Sequence, residues 1–94
     1  MPQQPSICIP RLMDTTVDKA TIQKIFDKYN WGNIARIDIV NKHGNMRAFI
    51  HFNYWYKTKD VLAIKNRLLN GETLNIIYSK PWFWKCSASR IKSS

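Results

Sequence analysis

The stretch Ile34-Ala35-Arg36-Ile37-Asp38-Ile39-Val40-Asn41-Lys42-His43-Gly44-Asn45-Met46-Arg47-Ala48-Phe49-Ile50-His51-Phe52 decides how this chain folds. Its first arm, Ile34 to Ile39, is rich in β-branched residues and alternates at period two, as a half-buried strand does. Asn41-Lys42-His43-Gly44 carries turn chemistry, because Asn and Gly accept the left-handed backbone of a tight connection. In the second arm Ala48, Ile50 and Phe52 alternate with Arg47, Phe49 and His51. A β-hairpin follows, with Ile37, Ile39, Ala48, Ile50 and Phe52 on one face. Arg36, Asp38, Arg47, Phe49 and His51 fall on the other.

Each side of the hairpin carries a helix. N-terminal to it, Ile22, Ile25, Phe26 and Tyr29 fall on one helical stripe, Asp18 is placed to cap it, and Val17 with Ile22 has the spacing of a hydrophobic staple. A helix over 18–29 is expected, broken by Gly32 and its Asn neighbours. C-terminal to it, Thr58 or Lys59 opens a helix running to residue 69. Val61, Ile64 and Leu68 form its inner stripe, flanked by Leu62 and Leu69, and Asn70-Gly71 is its stop signal.

The outermost pieces are extended. Ser6 to Ile9 is a first strand, ended by Pro10, which cannot donate to a ladder. Two short segments, Leu74 to Tyr78 and Trp82 to Ala88, are separated by Ser79-Lys80-Pro81. The order strand, helix, strand, strand, helix, strand predicts an α+β, ferredoxin-like βαββαβ sandwich. Its sheet would have four antiparallel strands in the order 4-1-3-2, with both helices on one face.

At 94 residues the chain forms one domain, too short for a two-domain enzyme. Hydrophobic residues at 45% place it above the composition of disordered chains. Fifteen Lys and Arg against six Asp and Glu leave a formal charge of +9, which calls for an anionic partner. No apolar stretch approaches the roughly 20 residues that span a bilayer, and neither helix has the basic face of an interfacial anchor, so nucleic acid is expected rather than membrane. The N-terminus has no apolar h-region, and Pro2 is incompatible with myristoylation. Cys8 and Cys86 lie at opposite ends of the chain, and neighbouring strands would turn them to opposite faces, so free thiols and an intracellular setting are expected.

On the face away from the helices these strands place Cys8, Arg36, Asp38, Arg47, Phe49 and His51, joined by Phe83 and Lys85 from the last segment. Residues two apart share a face, and lysine resists burial. Trp84 is therefore expected in the core with Cys86 and Ala88, and Phe83 and Lys85 outside. Trp31 and Trp55 are expected in core or loop packing. An aromatic ring among cations offers a base a stacking surface and its phosphates a countercharge. Phe49 could equally cap the sheet or meet a partner protein, and Arg47 could be solvated charge.

Over nearly all of its length, from about Ile7 to Ala88, the chain resembles the RNA recognition motif. Ile7-Cys8-Ile9-Pro10-Arg11-Leu12 is similar to that family's first-strand hexamer, and Asn45-Met46-Arg47-Ala48-Phe49-Ile50-His51-Phe52 to its third-strand octamer. Of the three stacking positions Phe49 keeps the aromatic, whereas Arg47 and Cys8 stand where Phe or Tyr is usual. Asn45 replaces the basic opening residue and Met46 the glycine. The runs Ile9-Pro10-Arg11, Arg47 to Phe52 and Pro81-Trp82-Phe83-Trp84-Lys85 also resemble those of short, single-domain RNA-recognition-like proteins of large DNA viruses. For such an origin the setting would be the host cell, cytoplasm or nucleus.

The chain thus reads as a domain over 6–88 between a flexible start, 1–5, and a basic, serine-rich tail, 89–94. The open face and the resemblance together point to binding of single-stranded RNA or DNA, RNA preferred, with Phe49 stacking a base and Arg11, Arg36, Arg47, His51, Phe83 and Lys85 completing the site. The missing aromatics and four tryptophans open an alternative, a protein-interaction module on a degenerate form of the same fold. No enzyme, cofactor or metal site is expected: His43 and His51 lack companions at ligand spacing, and no Ser-His-Asp set or carboxylate pair is evident.

Overall fold

The computed structural model describes residues 5–12, 17–42, 44–79 and 82–89. The expected Asp14-Thr15-Thr16 connection, His43 in the turn, Lys80 and Pro81, and all but Pro5 and Ser89 of the two chain ends lie outside these. Seven elements follow in order: β1 (Ile7–Ile9), α1 (Lys19–Tyr29), β2 (Gly32–Lys42), β3 (Asn45–Trp55), α2 (Lys59–Leu69), β4 (Leu74–Ser79) and β5 (Trp82–Ala88). The fold is α+β, with two helices and an antiparallel open sheet ordered β2-β3-β1-β5-β4.

The sheet has five strands, not the four expected. Leu74 to Ser79 has its own partner: β4 hairpins onto β5, pairing Ile76 with Trp84 and Ile77 with Phe83. The expected order of first, third and second strands holds, and β5 takes the place assigned to the last, with β4 as an added edge. Tyr29, at the end of α1, accepts a 2.9 Å hydrogen bond from the Ile77 backbone N–H, which ties that edge to the helix.

Both helices start where their caps dictate. Asp18 accepts from the Thr21 backbone N–H at 2.9 Å, which also holds the Asp18 carboxyl below the usual carboxylate range. Thr58 accepts from the Val61 N–H at 3.3 Å. α1 ends on Asn30, one of the Asn neighbours of Gly32 expected to break it: Asn30 takes the left-handed backbone (φ 57°) and its N–H returns to the Phe26 carbonyl at 2.9 Å. Gly32 belongs to β2, where a Cβ would come within 2.4 Å of the Tyr54 carbonyl oxygen, so its role is close approach between strands.

The core lies on one side of the sheet. Ile7, Ile9, Ile37, Ala48, Ile50, Phe52, Ile76, Trp84 and Cys86 are buried in one cluster with Ile22 and Phe26 of α1 and Val61 and Leu68 of α2. Ile25, Tyr29, Ile39 and Ile64 are half-buried against it. Trp31 and Trp55 join it as a stacked pair, ring centroids 6.0 Å apart, with Phe52 4.5 Å from Trp55. The Trp55 Nε1–H donates to the Pro5 carbonyl at 3.0 Å. Two compensating irregularities in the β2–β3 ladder account for this end of the core. Asn33 pairs with Tyr54, Ile34 with Phe52 and Arg36 with His51, so Asn53 and Ala35 are each an extra residue. Such a bulge flips the side-chain phase, which lets Phe52 and Trp55, three apart, share the buried face.

Candidate nucleic-acid interface

β1 and β3 run side by side in the middle of the sheet, and their outward residues meet: Cys8 stands opposite Phe49. On its other side Phe49 stands opposite Asp38 of β2, and beyond Cys8 comes Ser87 of β5. One row therefore crosses four strands as Asp38, Phe49, Cys8 and Ser87. Phe49, Cys8 and Asp38 are half-buried, and Arg47 beside them is exposed. A groove of about 540 Å³ is lined here by Cys8, Arg47, Phe49, Gly71, Thr73 and Ser87. Partial burial pushes the Cys8 thiol up, and the Arg47 guanidinium draws it part of the way back. Burial raises the Cys86 thiol to about 12, which keeps it a neutral core group. Both cysteines are free.

A second row runs along the first. His51 Nε2 lies 3.0 Å from Asp38 Oδ2, and Ser6 Oγ lies 2.8 Å from His51 Nδ1. Arg36 Nε donates to the same Asp38 oxygen at 3.2 Å. An ionised carboxylate only accepts, so in the neutral ring Nε2 carries the hydrogen and Nδ1 accepts from the Ser6 hydroxyl. The sequence reading found no Ser-His-Asp set, yet Ser6, His51 and Asp38 form this chain of bonds. Ser6 precedes β1, and only the β1–β3 register brings it to His51. The Ser89 N–H is bonded to the Ser6 carbonyl, and the chain of bonds holds Asp38 and His51 in place.

The remaining expected site residues sit elsewhere on the sheet. Phe83 and Lys85 are exposed while Trp84 and Cys86 are buried, the arrangement expected for this strand. With Pro10 and Arg11 they border a separate groove of about 470 Å³ toward the β4–β5 end. The seven residues thus fall into Arg47 and Phe49 at the centre, Arg36 and His51 beside them, and Arg11, Phe83 and Lys85 in the second groove. Trp82 is 65% exposed, unlike Trp84 on the same strand at 1%. Ser6, Asp38, Thr73 and Ser87 border the site without having been assigned to it from sequence; the alternation had placed Asp38 on this face, but nothing in the sequence marked its bond to His51.

Among the described residues no three metal-ligating side chains gather, and no helix is long and apolar enough to cross a membrane. Comparison of the chain with protein-family models, curated proteins and solved structures finds no match.

Proposed function

We propose that this protein binds single-stranded nucleic acid, RNA in preference to DNA, through the face of the sheet away from the helices, without catalysis or cofactor. Its framework is read as ferredoxin-like, of the RNA-recognition-motif type, with β4 added at one edge. One observation carries the reading: Phe49, half-buried at the centre of the sheet, has Arg47 two residues along its strand and Arg36 one strand away on the same face. An exposed ring face stacks a base while the cations around it neutralise phosphates, whereas duplexes keep their bases stacked on each other. The strand order supports the reading too, because it sets the segments similar to the hexamer and octamer side by side.

A salt titration tests this. Arg11, Arg36, Arg47 and Lys85, neutralising about three to four phosphates, give a slope of log affinity against log salt of about −2 to −3 on single strands, at roughly −0.7 per phosphate. Replacing Arg47 and Lys85 with alanine flattens it. Affinity that does not vary with salt, or no binding at low salt, overturns the reading.

The alternative, a protein-interaction module on the same framework, is favoured by the β4–β5 edge. There Ile77 and Phe83 are paired, 47% and 44% exposed, and Trp82 adjoins them. Exposed aromatics of this kind serve as anchors in protein interfaces. Salt-independent capture of a protein partner that fails with Trp82→Ala supports that alternative.

A further inference from the structure

Asp38 is out of place on a surface for phosphates. It is the one carboxylate in any of the five strands, in a chain of net charge +9, and it repels the backbone of any nucleic acid laid across it. It is nevertheless held firmly: His51 and Arg36 both bond its Oδ2, and Ser6 backs His51. Among the described residues every bond to the Asp38 carboxylate falls on Oδ2, and the side chain is 39% exposed, so Oδ1 is left to accept from a ligand. The β2–β3 register sets it directly across from Phe49. Cross-strand partners have Cβ atoms about 5 Å apart, within reach of the edge of a base lying on the ring.

We infer that Asp38 makes this site selective for guanine, an inference that rests on the single-strand reading above. Oδ1 offers acceptor lone pairs only, so it favours a base edge presenting two adjacent donors that can share it. Guanine alone does so, with N1–H beside the N2 amino group. Adenine and cytosine set one amino group next to a ring nitrogen acceptor, and uracil flanks its single N–H with two carbonyls. Those lone pairs face the carboxylate and are repelled. Arg47, two residues along β3 from Phe49 and on the same face, supplies donors for guanine O6, the acceptor that arginine reads most often. The acid is thus explained as a reader of the base beside Arg47, while Arg11, Arg36 and Lys85 hold the backbone. Ser6 and His51 are positioning residues that aim the carboxylate.

The test uses single-stranded oligouridine RNA of fixed length, with one central guanosine, adenosine or cytidine substituted in turn. The intact protein binds the guanosine oligomer about tenfold more tightly than the uridine parent, the size of one good base contact. In Asp38→Asn that ratio collapses toward one, because the amide turns a donor toward the guanine donors. The ratio is read within each variant, and thermal melting confirms that the variant is folded. Asp38→Ala gives the same readout should the amide disturb His51. Equal affinity for all four oligomers overturns the inference and leaves the single-strand reading standing. A guanosine preference that survives both variants also overturns it, since another group must then read the base. Failure of the intact protein to bind any of the oligomers overturns the inference and the reading together.

Discussion

Trp84→Ala is expected to cost about 3–5 kcal/mol of folding stability, within the range for truncating a buried aromatic. Trp84 is among the largest fully buried side chains, 1% exposed, paired with Ile76 of β4 and set in the cluster that α1 and α2 cover. Its removal leaves a cavity in that cluster, behind the β4–β5 hairpin. Small domains are stable by about 5–15 kcal/mol in all, so the variant should melt far below the parent. Urea unfolding checks it. A loss below about 1 kcal/mol would mean that Trp84 is not enclosed, and that Phe83 and Lys85 are not the outward pair.

Ile50→Ala should cost about 2–5 kcal/mol for the same physical reason. Ile50 is fully buried in β3, an interior strand, opposite Ile7 on one side and Ile37 on the other. One residue earlier, Phe49 faces the other way, and its truncation should leave stability nearly unchanged. Side-chain period in a strand is two, so the contrast between adjacent positions reports the register of β3 directly. If Phe49→Ala lowers the urea midpoint as Ile50→Ala does, the phase of β3 is inverted and the proposed binding face is the core.

Much of this was legible because burial imposes periods. The stripe Ile22, Ile25, Phe26, Tyr29 and the alternation around Ile50 could be read directly, since each element must bury one face. The fifth strand was harder. Leu74 to Tyr78 reads as extended, but strand number is decided by pairing, and nothing in those residues names β5 as the partner. The break after Tyr29 was assigned to Gly32 and its Asn neighbours together, and the structure narrows it to Asn30, which takes the positive φ. Extra residues at Ala35 and Asn53 escaped notice because a bulge is a mismatch between two strands, not a pattern within one.

The site divides in the same way. Phe49, Arg47 and Arg36 were found on one face because alternation within a strand puts them there. The bonds among Ser6, His51 and Asp38 join three strand regions, and they follow only once the β1–β3 and β2–β3 registers are known. Separation of Phe83 and Lys85 from Phe49 into a second groove has the same origin, because distance along β5 matters only after β5 is laid beside β1.

Binding of a single-stranded oligonucleotide by the Phe49→Ala variant, measured beside its melting curve, tests the proposed role of this face most directly. With a base resting on the ring, affinity falls by about 1–3 kcal/mol, the worth of one stacked base, while the melting temperature holds. Unchanged affinity in a folded Phe49→Ala protein would contradict it, because the ring at the centre of the sheet would then carry no base.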